Sequence, residues 1–478
     1  MTLIKNTEPS PTVELCKWIS ALQWQDIPEN IKTRAKYLIL DGIGCALVGS
    51  HLSWSETAVD AVLDMESAGS CSVIGWKGVK TSVLASALLN SAFIQGFELD
   101  DYHSISPLHS NSILLPALFA AAQHEKVHTT GKNFLLALIT GYEIGPRIGL
   151  SVNGGLILSR GWHSGPVFGS PTAAGAVGKL LNLSPENLEN AFGIGATQSC
   201  GLMSAQFESS VKRMQHGFAA RNGLFAAMMA KKNYKGISRV FEREYGGYCS
   251  VFTLGGNPAA PEEITKGLSE HWETTNINVK IYPSMAGTHA TIDCVLELLE
   301  QINVYGPEGI KEITIEMAES AYHHGGWVAE RPLNAIGAQM NNAYMAAAVI
   351  VDKEIRLNQF ADENINRDSI WDLMSKIKVV HQKEFDALPN RFDKLCTRTT
   401  VTFTDDSQIS STVVRPKGVK EPTSNEEIVE KFRQLTNDII TKEEQSRIED
   451  IVLDLESCDD ILVLLQALDI NVKNPLAT

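Results

Sequence analysis

The sequence predicts a mainly helical protein that contains an α+β insert, and three observations support this. Segments rich in Ala, Leu and Gly, with apolar residues at helical spacing, fill most of residues 11–265. Short β-branched segments follow, and a helical pattern then returns. A chain of 478 residues also exceeds the usual size of a single hydrophobic core. We therefore expect a discontinuous all-helical domain, residues 1–268 and 416–478, and a smaller α+β domain, residues 269–415.

The first domain reads as a series of helices. SPTVELCKWISAL begins with Ser10 as a candidate N-cap and Pro11 in the first turn. NIKTRAKYLILDGIGCALVGS repeats the apolar spacing and is expected to end near Gly49. The many small residues in the segments after these predict helix axes that approach closely. Those segments are TSVLASALLNSAFIQGFEL, NSILLPALFAAAQH, KNFLLALITGYEIGPRIGL, SPTAAGAVGKLLNL and AARNGLFAAMMAKK.

The second domain reads as short strands between helices. Helical patterns occur at THATIDCVLELLEQI and GAQMNNAYMAAAVIVD, and a helical C-terminal segment begins at SNEEIVEKF, where Ser424 and Glu427 fit a capping box. The segments with β-branched, alternating character are INVKIYPSM, IKEITIEMAES, SKIKVVHQ and TRTTVTFTDDSQISSTVVRP.

Net charge limits the classes of partner. With a formal charge of −15, the chain repels nucleic acids and anionic membranes, so neither is expected as a partner. Any site for an anionic metabolite must then be a local cationic exception.

The eight cysteines are scattered without a CxxC pair, which indicates a reduced, intracellular protein. The N-terminal residues show no signal or transit pattern and no window is apolar enough to span a bilayer, so we expect a cytoplasmic protein.

One short stretch, FELDDYHSISPLHS, concentrates carboxylates, a phenol and two imidazoles ahead of an apolar helix. The residues alone leave three interpretations open: a solvated acidic loop, a metal site and a general acid/base site. The metal interpretation is the weakest because no ligand spacing typical of zinc or iron is present. An imidazole held by a carboxylate can move a proton near neutral pH, which favours acid/base chemistry as the functional interpretation.

Four more clusters contain His, Lys, Arg or Tyr side chains that could take part in catalysis or bind an anion, although each cluster alone is also compatible with a structural role. RGWHSGPVFGSPTAAGA places His163 at a tight turn before a helix. SAQFESSVKRMQHGFAARNG places Lys212 and His216 four residues apart, with Arg213 beside them, and so supplies the expected cationic exception. The remaining two clusters are NVKIYPSMAGTHAT, with Lys280, Tyr282 and His289, and YHHGGWVAERP, with His323, His324 and Arg331.

In order and spacing, these motifs resemble the MmgE/PrpD family over nearly the whole chain. The stretches that carry the resemblance are ELDDYHS with PLHS, GWHSGPVFGSP, GLMSAQFESSVKRMQHGFAARNG, KIYPSMAGTH and GGWVAERP. The family includes 2-methylcitrate dehydratases and cis-aconitate decarboxylases, and the resemblance is closest to the fungal, itaconate-forming branch. It implies an all-α domain that carries both chain ends, an inserted α+β lid domain, a homodimer, and an interdomain active site without metal or organic cofactor.

The resemblance also implies roles for individual residues. The acidic position of the family corresponds to Glu98, its catalytic histidine to His109, its second histidine to His163, and its two site lysines to Lys212 and Lys280. Asp100 and Asp101 are expected to cap or anchor the loop. The residues expected to complete the substrate-binding site are Tyr102, His103, Arg213 and Tyr282.

The expected reaction is decarboxylation of cis-aconitate, a small anionic tricarboxylate, to itaconate and CO2. His109 or His163, kept protonated by Glu98, is the expected acid, while the lysines hold the carboxylates that stay. Two other reactions remain open: a 2-methylcitrate dehydratase-type hydro-lyase and an epimerase of an iminodisuccinate-like diacid. A non-catalytic helical scaffold is the alternative of another class, and it would leave the His and Lys side chains far apart.

Overall fold

The computed structural model describes residues 10–66, 68–103, 105–125, 128–254 and 259–476. The first half of the chain is a body of closely packed helices. As predicted, the first of them begins after Ser10, whose side chain accepts a hydrogen bond from the Val13 backbone N–H at 3.2 Å. The helices of this body are α1 (Pro11–Ala21), α2 (Glu29–Gly49), α3 (Ser53–Met65), α4 (Val83–Ile94), α5 (Ser110–Glu125), α6 (Gly131–Ser151), α7 (Gly154–Ser159), α8 (Ser164–Leu180), α9 (Pro185–Ala196), α10 (Val211–Lys231) and α11 (Tyr248–Thr253).

Small residues allow these helices to pack at short distance. The central helix α8 is buried along its length and lies against α5, α6, α9 and α10. A Cβ atom on Gly223 of α10 would lie 2.4 Å from the backbone oxygen of Ser170 in α8. A Cβ atom on Gly169 of α8 would lie 2.2 Å from the side chain of Ile113 in α5. Larger side chains at either glycine would therefore push α8 away from its neighbours.

The helical body also contains two short antiparallel strand pairs. The first pair is β1 (Cys71–Ser72) with β2 (Lys80–Thr81). The second joins β3 (Tyr102–His103), in the loop before α5, to β4 (Ile277–Asn278), so two stretches far apart in sequence meet there. This pairing ties the chain after α11 to the loop that contains most of the predicted proton carriers.

The α+β part contains a mixed four-stranded sheet with strand order β6-β5-β7-β8. The central strand β5 pairs in parallel with β6, through Ile313 opposite Ile377, and antiparallel with β7, which forms a hairpin with β8. The longest helix of this part, α12, packs on β7 and β8. The strands are β5 (Ile310–Met317), β6 (Ile377–His381), β7 (Thr397–Phe403) and β8 (Gln408–Val413). The helices are α12 (Ala286–Tyr305), α13 (Glu319–Gly325), α14 (Ala335–Gln339), α15 (Asn342–Asp352), α16 (Asp362–Ile365), α17 (Asp368–Met374) and α18 (Lys383–Asp386).

The last segment returns to the helical body as α19 (Asn425–Thr436), α20 (Lys442–Leu453) and α21 (Leu462–Ala467). Both α19 and α20 pack on α2, and α21 contacts α5. The predicted capping box is present, because Ser424 Oγ accepts from the Glu427 N–H at 3.1 Å and the Glu427 carboxylate accepts from the Ser424 N–H at 2.9 Å.

The predicted fold class, mainly helical with a smaller α+β part, is confirmed. The boundaries at 268 and 415 stay a prediction, and β4 shows that the chain remains attached to the helical body for about ten residues past the first of them. In the ranges given above, no helix combines the length and the apolar character that crossing a bilayer requires.

Candidate active site

The side chains predicted for the site converge on Glu98. Its backbone follows a 3-10 turn at Gln95–Phe97 and adopts the left-handed conformation, with φ +55°, so the chain reverses there. The buried carboxylate binds the Lys212 ammonium through Oε1, the Arg213 guanidinium through the same oxygen at 2.7 Å, and the Lys280 ammonium through Oε2 at 2.9 Å. Three cations from two distant stretches of sequence therefore share one carboxylate.

Charge pairing controls the protonation of this cluster. Burial alone would raise the pKa of Glu98, but Lys212, Lys280 and Arg213 hold that pKa well below its ordinary value. Burial lowers the pKa of Lys212 to about 8, against the opposing attraction of Glu98. For Lys280, burial is outweighed by Glu98 and Asp100, and its pKa is raised. Near neutral pH the cluster thus contains an ionised carboxylate and three cations, of which Lys212 is closest to losing its proton.

A second carboxylate, Asp100, lies beside His109. The Nδ1 atom of His109 is 3.2 Å from Oδ2 of Asp100, without the alignment of a full hydrogen bond, and Oδ1 of Asp100 is 3.5 Å from the Lys280 ammonium. Burial tends to raise the pKa of Asp100, but His109 and Lys280 bring it below its ordinary value. An ionised Asp100 orients the imidazole so that Nδ1 faces the carboxylate and Nε2 is left for a ligand.

The expectation for the two aspartates was half wrong. Asp101 does anchor the loop, since its carboxylate accepts the backbone N–H groups of Ser110 and Asn111 at the start of α5, both at 2.9 Å. Asp100 makes different contacts, with His109 and Lys280, because the reversal at Glu98 turns both Glu98 and Asp100 towards Lys280. The carboxylate in contact with His109 is Asp100, whereas Glu98 acts on that imidazole only through the electrostatic field.

Three imidazoles form a cluster next to these charges. The ring of His216 meets the rings of His109 and His163 edge to face, with centroids 5.1 and 4.8 Å away. His163 Nδ1 bonds to the side-chain oxygen of Gln215, and burial with the charge of Lys212 lowers the pKa of His163 to about 3. Burial, followed by the charges of the other two histidines, also holds the pKa of His216 well below its ordinary value. Of the three, His109 is the one in contact with a carboxylate.

Several buried polar atoms around the cluster have no hydrogen-bond partner among the residues that the structure describes. Buried polar groups are normally hydrogen-bonded, so a concentration of unpaired ones indicates a place for a polar ligand or water. His324, from α13 of the α+β part, is within the electrostatic influence of the cluster, since burial and then the charge of Lys212 lower its pKa to about 4. The unpaired atoms are Gln95 Oε1, Arg213 Nε, both ring nitrogens of His216 and Nδ1 of His324.

Sequence reasoning did not place His216 or His324 in the site. For His216 a signal existed, since its i, i+4 spacing from Lys212 puts both side chains on one face of α10. For His324 none existed beyond the HH pair, because its position depends on how α13 lies over the helical body, where it contacts α7.

Three residues predicted to bind substrate make contacts elsewhere in the described structure. His103 is fully buried, with Nε2 3.1 Å from a Glu273 oxygen and Nδ1 accepting from the Ser106 N–H at 3.1 Å. The hydroxyl of Tyr282 donates to Asp293 at 2.7 Å. Tyr102 is buried in β3, opposite Asn278. Direct contact of these three with substrate stays a prediction. Across the described part of the chain, no group of three or more His, Cys, Asp or Glu side chains is arranged to hold a metal ion.

Comparison with known proteins covers most of the chain. The MmgE/PrpD N-terminal domain matches residues 13–259 and the MmgE/PrpD C-terminal domain matches residues 282–457. A cis-aconitate decarboxylase-like protein of Aspergillus oryzae is 46% identical over 480 residues, which cover 97% of this chain and 98% of that protein. A cis-aconitate decarboxylase of Aspergillus terreus is 43% identical over 484 residues, covering 98% of each. Human cis-aconitate decarboxylase is 24% identical over 456 residues, covering 93% of this chain and 92% of the human protein.

Proposed function

The chain belongs to the MmgE/PrpD family, and from this premise we propose that it is a carboxy-lyase that converts cis-aconitate to itaconate and CO2. Two similar proteins that align over almost the whole chain are named for this activity or for likeness to it. The observation that carries the proposal is the Asp100 and His109 pair beside the three cations on Glu98. This arrangement combines a proton donor with fixed positive charge.

The charge of the site suits a tricarboxylate. Lys212, Arg213 and Lys280 contribute three positive charges, and Glu98 and Asp100 contribute two negative ones, which leaves +1, or +2 with His109 protonated. The whole chain carries −15, so this site is the local exception that an anionic substrate needs. The substrate carboxylates would share these cations with Glu98 through charge-assisted hydrogen bonds.

The proposed chemistry needs only a proton and electrostatic stabilisation. As the bond to the departing carboxylate breaks, its electron pair forms a new double bond to the central carbon, and the original double bond passes its pair to the far carbon. The charge spreads into the carboxylate on that carbon, where a lysine can stabilise it. His109 then delivers its proton to the far carbon, and solvent reprotonates the imidazole. The trianion and one proton thus give the itaconate dianion and CO2.

The existing double bond accepts the electrons, so the proposed step uses no metal or organic electron sink.

We propose that the α+β domain, residues 269–415, acts as a lid over this site. This domain contains His324, and Lys280 lies on the connection to it, two residues after β4, whereas the helical body supplies Glu98, His109 and Lys212. A closed lid would keep water from the carbanion-like intermediate.

We also propose that the protein is a homodimer that uses the outer face of α10. Val211, Phe218 and Phe225 recur every seven residues on that face, and Val211 and Phe225 are 44% and 39% exposed. Aromatic and aliphatic side chains in such a stripe are typical of subunit interfaces.

Product identification by NMR tests the proposed function. Purified protein incubated with cis-aconitate should give itaconate and CO2 at a rate that EDTA leaves unchanged. Isomerised or hydrated aconitate, with no itaconate, would instead favour the epimerase-like or hydro-lyase alternative. Activity that is lost in EDTA and restored by a divalent ion would overturn the cofactor-free part of the proposal.

A further inference from the structure

A buried lysine from the C-terminal segment contacts the loop that carries the proton donor. Lys431 lies on α19, and its side chain is 12% exposed. Its ammonium donates to Oδ1 of Asp41, on α2, at 2.6 Å and to the backbone oxygen of Leu99 at 2.6 Å. Leu99 lies between Glu98 and Asp100 in the sequence, so the lysine is hydrogen-bonded to the backbone between the two carboxylates of the site.

Packing alone does not explain a lysine at this position. Ile428, Phe432 and Thr436 are the buried residues of α19, and Lys431 lies on the same face, packed towards α2. An apolar side chain would fill this space without the free energy needed to take a charge out of water. Burial raises the pKa of Asp41, and the charge of Lys431 opposes that rise. The ionised form of Asp41 is therefore stabilised by the neighbouring ammonium. The two hydrogen bonds to Asp41 and Leu99 are what the ammonium adds.

The loop needs such a contact because its backbone turns sharply. Glu98 holds a left-handed conformation that non-glycine residues adopt only when surrounding contacts impose it. On the far side, Asp101 is fixed by the first N–H groups of α5. Lys431 fixes the near side through Leu99. Between these two anchors, Asp100 is set opposite His109.

We propose that Lys431 is a positioning residue that holds the Leu99 carbonyl and thereby sets the Asp100 and His109 pair in its working geometry. The inference rests on the proposed decarboxylation, for which that pair delivers the proton. Lys431 does not touch the reacting atoms, so losing it should lower kcat more than it raises KM. Misplacement of a catalytic group by about 1 Å can reduce turnover about 10²-fold.

The test must separate positioning from folding. Replacing Lys431 alone leaves Asp41 buried without the cation that it contacts, and this can prevent the protein from folding. The informative variant is therefore the double substitution Asp41→Asn with Lys431→Met, which removes both charges and keeps the side-chain volumes close. Lys431→Arg is the conservative variant and should retain part of the turnover. Arg433→Met is the matched control, because Arg433 is on the same helix but pairs with Glu449 at the surface.

The readouts are kcat and KM for cis-aconitate and hydrogen exchange of peptides covering residues 97–110. The double variant should fold, lose about 10- to 100-fold in kcat with a smaller change in KM, and exchange faster in those peptides. Arg433→Met should match the wild type in all three. Wild-type kcat in the folded double variant, or a lower kcat with unchanged exchange, would overturn the inference. If the wild type forms no itaconate, the proposed function fails, and the exchange measurement alone then decides whether Lys431 holds the loop.

Discussion

His109 is the side chain on which the proposed proton transfer depends. It contacts an ionised carboxylate, and its neighbours His163 and His216 are held neutral by burial. We predict that His109→Ala leaves folding and substrate binding nearly intact and lowers kcat about 10²- to 10⁴-fold, the usual contribution of a general acid. Steady-state formation of itaconate, with circular dichroism to check folding, measures this.

His103 is the natural control, since it comes from the same loop and is bonded to Glu273 and Ser106 rather than to the charged cluster. His103→Ala should lower stability by about 1 to 3 kcal/mol, because it removes the buried imidazole that pairs with Glu273 and accepts from the Ser106 N–H, but should change kcat much less. A larger loss of kcat in the His103 variant than in the His109 variant, with both proteins folded, would show that the proton donor is assigned to the wrong residue.

Lys212 is predicted to act mainly on binding. Lys212→Ala removes a charge-assisted hydrogen bond to a substrate carboxylate, a loss of about 1.5 to 3 kcal/mol, or about 10- to 150-fold in kcat/KM. Because the pKa of Lys212 is lowered to about 8, its positive charge is present below that pH and is lost above it. The wild-type KM should therefore rise as the pH passes through about 8, and the variant should lack that rise.

A variant with wild-type kcat/KM would assign Lys212 a purely structural role. A wild-type KM that falls above pH 8 would contradict the proposed role of its charge. Both results come from one series of initial rates between pH 6 and 9, with Lys442→Ala, a surface residue of α20, as the control.

Only those residues of the site that lie in recognisable sequence motifs could be predicted. Glu98, Lys212 and Lys280 were all named from the sequence, and the structure brings them into contact. The partner of His109 could not be predicted, because Glu98, Asp100 and Asp101 are equivalent by composition. The left-handed turn at Glu98 decides which carboxylate faces the imidazole.

At the level of single elements, the helix α19 offers a test of local stability. Its capping box satisfies N–H groups at the exposed helix start, and Lys431, farther along the same helix, donates to the Leu99 carbonyl. Ser424→Ala should lower the free energy of unfolding by about 1 kcal/mol, as loss of an N-cap usually does, without changing kcat. Chemical denaturation and initial rates measure the two quantities. Unchanged stability would mean that the cap adds nothing, and a large loss of kcat would mean that the cap also supports the loop.

Element predictions succeeded where the signal is local and failed where it is not. IKEITIEMAES and SKIKVVHQ form β5 and β6 as predicted. The sequence predicts a strand at INVKIYPSM, but only Ile277–Asn278 pairs, because its partner β3 is two residues long and lies about 175 residues earlier in the chain. Lys280 therefore lies just beyond the strand on which it was expected. TRTTVTFTDDSQISSTVVRP forms two strands, since TDDS, residues 404–407, connects β7 and β8 as a hairpin.

For the whole molecule, the homodimer proposal gives a direct expectation. Light scattering should report twice the mass of the 52.2 kDa chain, and Phe225→Lys should shift the protein towards monomer by placing a charge in the apolar stripe of α10. Val304→Lys is the matched control, because Val304 is 80% exposed on α12, away from that stripe. A monomeric wild type would contradict the dimer itself. A Phe225→Lys variant that stays dimeric would show that the interface lies on another face of the protein.

The overall architecture was accessible from sequence because periodicity changes along the chain, from helical spacing to alternation and back. The change located the α+β part and the C-terminal return to α2 in broad terms. It could not show that β4 stays with the helical body, nor that the charge of Lys212 acts on His324 of α13, because both depend on contacts between distant segments.

The proposed reaction decarboxylates cis-aconitate and protonates the carbon at the far end of the double bond. Turnover in D2O, followed by proton and carbon NMR, tests both parts at once. We predict itaconate with a single deuterium on its saturated methylene carbon and none on its terminal =CH2 carbon, because the enzyme supplies one proton to the former vinylic position. Absence of itaconate, or deuterium on the =CH2 carbon, would contradict this reaction.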